Sequence, residues 1–418
     1  MKILYSNAHM RHSPRREFDG EAMTLGPHPE TPARAEMILT ALRRRGLGLP
    51  LSPRAPRRAE LEGVHAPELL DFLEEFCSRG FGGASMDGAQ GPPTGEGGGS
   101  GTAGAAEGAG FPERGADGAA GEAAADAFAL PGWRSIRRPR SLRWRFGLHC
   151  FDPQTPLQPG TWAAALAAAG CALSGADLLL GSADTGPPEA GPPLTGGGET
   201  AVYALCRPPG HHAGRDFFGG YCYLNNAALA ARRLAGRSGA SGPGLGAGTG
   251  PSPSGRRRSG SRVAVLDLDF HHGNGTQEIF YRDPTVLYVS LHADPNEAYP
   301  YFAGYPEETG EGPGLGANRN FPLPQRCDER RYRETLAEAL EVVRAFAPGY
   351  LVVSLGTDIL SQDPVGGMGM SVQGFGRLGE EVCRLGLPTL VVQEGGYAVE
   401  AIGECVGAFL EPWVGSES

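Results

Sequence analysis

Short apolar runs rich in β-branched residues alternate along this chain with longer stretches of helical periodicity. Strand-like runs occur at Lys2–Tyr5, Val202–Cys206, Val263–Leu268, Val286–Leu291, Tyr350–Leu355 and Thr389–Gln393. Helix-like segments occur at Pro32–Arg45, Ala66–Phe76, Thr161–Leu173, Leu224–Leu234, Glu329–Phe346 and Gly374–Leu385. In the segment from Glu329, the residues Leu336, Leu340, Val343 and Phe346 recur at the spacing of one helical face. Strands that are apolar throughout are buried on both faces. The pattern predicts an α/β fold with a central, mainly parallel sheet and helices on both sides of it. Such sheets bind ligands beyond the carboxyl ends of their strands.

Four of those ends carry polar residues. Val202–Cys206 runs into Arg207-Pro-Pro-Gly-His-His-Ala213, and Val263–Leu268 runs through Asp267, Asp269, His271 and His272. Tyr350–Leu355 runs into Gly356-Thr-Asp358, and Thr389–Gln393 into Glu394-Gly-Gly-Tyr397. Asp267, Asp269 and His271 alternate, so on an extended strand they would share one face.

Buried carboxylates are costly unless paired or bound to a metal. Asp269, His271 and Asp358 therefore read as a three-ligand metal site with an open position, the pattern of catalytic zinc. Two carboxylates and an imidazole also suit Fe(II) or Mn, so ligand type leaves the metal open. Water held at such a site becomes a nucleophile near neutral pH. His211 and His212, on a loop beside Gly210, can transfer protons. Asp267 can hydrogen-bond one of them and Asn274 can orient the other. Tyr397, after Gly395-Gly396, can donate to a developing oxyanion. The set describes metal-assisted hydrolysis of a carbonyl compound such as an amide. Taken singly, a tandem His pair is more often structural, an Asp-x-Asp is often a turn cap, and two glycines are simply a turn. Their coincidence at four strand ends is what points to chemistry.

Composition refines this picture. The 66 glycines and 36 prolines among 418 residues are unevenly spread, and three segments, at about 80–121, 181–200 and 236–261, are enriched in them. These lack apolar periodicity and read as disordered insertions within one domain spanning residues 1–410, not as domain boundaries. The Arg runs at Arg134–Arg145 and Arg256–Arg258 read as solvated faces. A net charge of −10 argues against direct nucleic-acid binding and mildly favours cationic ligands. Eight scattered cysteines without a Cys-x-x-Cys pair, no secretory leader and no long apolar run predict a reduced, soluble protein with no membrane span. The expected compartment is the cytoplasm, with the nucleus as the alternative.

The motifs resemble those of the histone deacetylase superfamily. The resemblance is carried by Arg207-Pro-Pro-Gly-His-His-Ala213, Phe218-Gly-Gly-Tyr-Cys-Tyr-Leu-Asn-Asn-Ala227, Leu266-Asp-Leu-Asp-Phe-His-His-Gly-Asn-Gly-Thr-Gln277, Ser290-Leu-His292 and Glu394-Gly-Gly-Tyr397. Gln158-Pro-Gly-Thr-Trp162, the segment Ser290–Pro300 and Gly304-Tyr-Pro-Glu-Glu-Thr-Gly310 look most like the acetylpolyamine amidohydrolase branch, with class II deacetylases next. The resemblance implies an arginase/deacetylase-like fold, zinc on Asp269, His271 and Asp358, and His212 as general base and then acid. It implies His211 as an electrostatic partner contacting Asp267, and Tyr397 as the clamp on the substrate carbonyl. It further implies a narrow channel walled by Tyr221 and Tyr299 with Gly220 beside them, and Val365 at a rim position where some polyamine-specific relatives carry Glu. A structural potassium ion is implied on main-chain oxygens of Asp267, Asp269 and His271, with Ser290 and Leu291 contributing. Asn274 stands where class I deacetylases have Asp, and a neutral partner raises the pKa of His212 less. Arginase shares the fold, but the extra carboxylates of its two-metal site correspond here to Gly273 and Leu360.

Acetylated polyamine and acetylated lysine present the same reacting group, so the rim must separate them. Glu17, Glu21, Asp152, Glu307 and Glu308 are the candidates for holding distant ammonium groups, each of them otherwise an ordinary surface acid. Gln154 takes a place where another acid would have strengthened a polyamine site. The expected activity is zinc-dependent deacetylation of N-acetylated alkyl amines, polyamine before protein substrate. A catalytically silent acetyl-binding scaffold is the contrasting reading. The polyamine branch dimerises with a narrowing loop that His12–Pro29 matches, which leaves a homodimer open, whereas the Gly/Ala-rich insertion from Gly80 has no clear match and could disturb such an interface.

Overall fold

The computed structural model of the protein describes residues 1–19, 24–79, 122–123, 128, 139, 141–181, 199–236 and 261–414. The three expected insertions fall almost wholly outside the described residues, as do Arg256–Arg258 and Glu21.

Eight strands form one sheet: β1 (Lys2–Leu4), β4 (Pro50–Leu51), β5 (Ala201–Ala204), β6 (Val263–Asp267), β7 (Val286–Ala293), β8 (Asn318–Leu323), β9 (Tyr350–Leu355) and β10 (Thr389–Gln393). Their order is β4-β1-β5-β10-β9-β6-β7-β8, and every neighbouring pair is parallel. β2 (Arg16–Asp19) and β3 (Thr24–Pro27) form a separate antiparallel hairpin. The helices are α1 (Ala33–Arg44), α2 (Arg58–Glu62), α3 (Pro67–Arg79), α4 (Phe146–His149), α5 (Thr161–Leu180), α6 (Asn226–Leu234), α7 (Asn274–Phe280), α8 (Glu329–Phe346), α9 (Val372–Cys383) and α10 (Val399–Val414).

The central strands are buried on both faces because alternate residues enter two separate cores. Ala264 and Leu266 of β6 join the cluster formed with α1, α8, α9 and α10. Val263 and Val265 join the cluster formed with α3, α5 and α6. This is the predicted α/β architecture, a parallel sheet between two helical layers. α8 begins where Asp328 caps it, its side chain accepting from Arg331 N–H at 2.8 Å.

Several elements escaped the sequence pattern. β8 reads Asn-Arg-Asn-Phe-Pro-Leu, too polar to resemble a strand, yet edge position makes a proline tolerable there. α10 carries Gly403, Gly407 and Pro412, which lower its helical propensity. α5 runs seven residues beyond its expected end at Leu173, and by length and hydropathy it could cross a membrane. In this fold 78% of that apolar window is buried inside the protein, as a core helix. All eight cysteines are free thiols, and seven of them are buried.

Candidate active site

The four central strands, β5, β10, β9 and β6, lie side by side and parallel, so their carboxyl ends open on one edge of the sheet. Those are the four ends that carry the polar motifs. One expectation needs correction: β6 ends at Asp267, so Asp269 and His271 lie on the turn beyond it and do not share a strand face with Asp267. Asp267 is fixed by the sheet, in register with Ser290 and Ser354, whereas Asp269 and His271 are aimed by local bonds. Asp267 Oδ1 accepts from Asp269 N at 3.2 Å, and Asp269 Oδ1 accepts from His271 N at 2.9 Å.

The turn brings Asp269 and His271 against Asp358. Nδ1 of His271 stands 3.3 Å from Asp269 Oδ1 and 3.2 Å from Asp358 Oδ2, and one donor atom of each residue lies within 4.8 Å of the others. Donors about 2.0–2.1 Å from a common tetrahedral ion stand about 3.3–3.4 Å apart, so this spacing fits a small divalent metal. The charges fit as well. Burial, then the Asp269 carboxylate beside it, push the Asp358 carboxyl above its ordinary range. Two buried carboxylates facing each other are relieved by a shared cation. Among the described residues this is the one cluster of metal-ligating side chains so arranged.

Beside it stand the two histidines of the β5 loop. His211 Nδ1 lies 3.1 Å from Asp267 Oδ2, and His212 Nδ1 lies 2.7 Å from Asn274 Oδ1. The two rings thus have unlike partners. Burial works against charge on His211, but Asp269 and Asp267 outweigh it and raise its pKa to about 10. Burial lowers His212 well below 6.5, and His211 and His271 lower it further, while Asn274 opposes them only as a hydrogen bond. With Nδ1–H donated to Asn274, Nε2 is left as the basic atom. Tyr397 is buried, and burial holds its phenol well above 10, so it remains a donor. Gly273 has no room for a side chain: a Cβ there would stand 2.4 Å from Asp267 Oδ2 and 2.5 Å from the Tyr288 hydroxyl. A second-metal carboxylate at this position is sterically excluded.

Tyr299 lies edge-on to the rings of His212 (5.1 Å) and His271 (6.1 Å). Tyr221 lies edge-on to Tyr397 at 5.8 Å. The structure therefore sets Tyr299 beside His212 and His271, and Tyr221 beside Tyr397. Gly220, at φ 55°, is pressed so close to His212 that a Cβ would stand 2.2 Å from its ring. His28, from the expected early loop, packs edge-on to Tyr221 at 4.7 Å. Val365 sits half-buried in the turn held by Asp363, which accepts its N–H at 3.0 Å. Ser290 and Leu291 lie on β7, with Ser290 in register with Asp267, and Ser290 Oγ is 2.8 Å from His292 Nδ1. His272 is buried outside the reacting cluster, 3.1 Å from Gln277.

The rim acids are scattered. Glu17 lies on β2, and Glu307 is exposed. Glu308 turns inward to accept from Gly304 N–H at 2.8 Å and Gln277 Nε2 at 2.7 Å. Asp152 is buried.

Sequence reading missed the residues that hold the loops in place. Glu394 is wholly buried and accepts from Gly210 N–H at 2.7 Å and His211 N–H at 3.2 Å, which fixes the His-His loop. Arg34, on α1, donates to Gly396 O at 2.5 Å and Glu394 O at 2.6 Å, and its guanidinium lies 4.8 Å from the Tyr397 ring. Glu30 pairs Arg34 at 2.8 Å and Arg207 at 2.9 Å. Burial alone would raise the pKa of Glu30, but Arg207 and Arg34 bring it down to about 2. His65 Nδ1 donates to Gly214 O at 2.8 Å while Nε2 accepts from Asn225 N–H at 2.9 Å, bracing the same loop from behind.

Residues 28–243 and 250–412 match the histone deacetylase domain. Acetylpolyamine amidohydrolase 1 of Pseudomonas aeruginosa is 36% identical over 408 residues, covering 96% of each chain. Histone deacetylase 8 of Arabidopsis thaliana is 38% identical over 266 residues, covering 61% of each. The crystal structure of an acetylpolyamine aminohydrolase from Burkholderia pseudomallei superposes with a TM-score of 0.76 at 33% identity, covering 99% of this chain and 98% of that one. The chain belongs to the histone deacetylase family.

Proposed function

We propose that this protein is a zinc-dependent deacetylase that hydrolyses the acetamide of N-acetylated alkyl amines, acetylpolyamines before acetyl-lysine. The observation that carries the reading is the Asp269–His271–Asp358 donor set beside a neutral His212 that Tyr299 meets edge-on. A divalent metal held there supplies Lewis acidity to the carbonyl and to the attacking water. The protein's own groups carry the proton traffic. His212 Nε2 takes a proton from the water as it attacks, and Asn274 keeps the ring turned so that Nε2 is the free atom. The same nitrogen then returns a proton to the departing amine. His211, held cationic by Asp267 and Asp269, stabilises negative charge as it develops. The Tyr397 phenol donates to the carbonyl oxygen as it becomes an oxyanion. Tyr221 and Tyr299 exclude water from around an alkyl stem.

Similarity across almost the whole chain to proteins named for acetylpolyamines supports the small-amine reading. Likeness to a plant histone deacetylase over 266 residues favours acetyl-lysine as the second reading. The purified protein should turn over acetylputrescine and acetylspermidine with kcat/KM at least about tenfold above an acetyl-lysine peptide, a difference of about 1.4 kcal/mol in transition-state stabilisation. The reverse order would favour the protein substrate. Homodimer formation and a cytoplasmic location are proposals of the same reading, as is potassium at Asp267, Asp269, His271, Ser290 and Leu291.

A further inference from the structure

Asp152, one of the five candidate ammonium contacts, is only 5% exposed. Its oxygens are already engaged. Oδ1 accepts from Gln154 N–H at 2.8 Å and from the Thr155 hydroxyl at 2.9 Å. Oδ2 accepts from Gly220 N–H at 2.5 Å and from the Tyr299 hydroxyl at 2.9 Å. The last two donors belong to two separate segments, Gly220–Tyr221 and Tyr299, which the family resemblance makes the walls of a substrate channel. Thr155 completes the arrangement, since its Oγ1 accepts from Tyr221 N–H at 2.9 Å while its hydroxyl donates to Asp152. Phe151, one residue earlier, stacks on Tyr299 at 5.9 Å and 15° between planes.

The backbone these bonds hold is one that needs holding. Gly220 and Tyr221 both have positive φ, 55° and 63°, and an aromatic side chain rarely adopts that conformation unaided. Gly220 also touches the His212 ring, so any shift of this wall reaches the proton-transferring group.

We infer that Asp152 is a positioning residue, a clamp whose single carboxylate ties the two walls of the substrate passage together and fixes its width. It is not a contact for a substrate cation. The inference rests on the deacetylase reading only for what passes between the walls; the clamp itself is a property of the fold. Asp152→Asn separates the two pairs of bonds, because an amide oxygen still accepts from Gln154 and Thr155 while the amide nitrogen cannot accept from Gly220 or Tyr299.

The test compares Asp152→Asn with the unaltered protein on two substrates: acetylputrescine, which carries a distal ammonium, and N-butylacetamide, its neutral analogue. A clamp predicts that kcat/KM falls by about tenfold on both, with their ratio unchanged within about twofold. A fall confined to acetylputrescine would overturn the inference and make Asp152 a cation contact. Amide hydrogen exchange reads the clamp without turnover. Segments 218–223 and 296–302 should exchange faster in Asp152→Asn, and unchanged exchange in both would overturn the proposal. Tyr299→Phe removes only the hydroxyl and should speed exchange in segment 218–223 less than Asp152→Asn does. If the unaltered protein acts on neither substrate, the functional reading fails while the exchange measurement still decides the clamp.

Discussion

Nδ1 of His212 lies 2.7 Å from Oδ1 of Asn274, a partner that bears no charge. Its neighbour His211 faces two carboxylates instead. One ring is thereby kept neutral and the other cationic, although the two centroids are 4.1 Å apart. Two adjacent titratable groups pushed in opposite directions are what the proposed division into base and electrostatic stabiliser requires.

That division predicts the effect of Asn274→Asp. A carboxylate opposite Nδ1 raises the pKa of His212, so the neutral base is lost at a higher pH than before. The acid limb of the kcat/KM profile should move up by on the order of one pH unit. A limb that stays in place, or moves to lower pH, would show that His212 is not the group whose deprotonation the reaction needs.

Glu30 lies between Arg34 and Arg207 with no exposure of its own. Glu30→Gln leaves two buried guanidinium groups without a counter-charge, which should cost about 3–5 kcal/mol of unfolding free energy. Arg34 also holds the carbonyls before Tyr397, so kcat should fall with it. Because the folded pKa of Glu30, about 2, is below its ordinary 4.5, its contribution is whole above pH 4.5 and is lost as pH falls through 2. Urea unfolding at neutral pH checks the magnitude, and a change under about 0.5 kcal/mol would refute the network.

His65 makes the pH dependence of stability specific. Burial lowers its pKa from 6.5 to about 4, and both ring nitrogens are bonded in the neutral form. The unfolded chain therefore takes up a proton first as pH falls. Stability is unaffected by His65 above pH 6.5 and declines from there down to about 4, by about 3 kcal/mol in all. His65→Gln should be less stable at pH 7 but should lose less between pH 7 and pH 4.5 than the unaltered protein. An identical slope in the two proteins would contradict this.

The sequence made the central strands and their polar ends legible because each is a local pattern: apolar residues in sequence, then donors within a few positions. Asp269, His271, Asp358 and the His211–His212 pair could be found that way. The path of the chain at the exit of β6 could not, because a strand-like alternation continues through His271 although the sheet ends at Asp267. The role of Asp152 was not legible for a different reason. A carboxylate near a rim has the same appearance in sequence whether it faces a ligand or is saturated by Gly220 and Tyr299. Arg34 and its bond to Gly396 lie 362 positions apart, and no spacing rule connects them. Edge strand β8 and helix α10 were obscured by prolines and glycines that tertiary packing tolerates.

The central claim is a metal held by Asp269, His271 and Asp358 with proton transfer by a separate residue, His212. The most direct measurement determines zinc content and acetylputrescine turnover together in the unaltered protein, His212→Ala and Asp358→Ala. The account predicts one zinc per chain with turnover in the first, one zinc per chain with turnover reduced by about 10²–10⁴-fold in the second, and loss of both in the third. Stoichiometric zinc in Asp358→Ala, or undiminished turnover in His212→Ala, would contradict it.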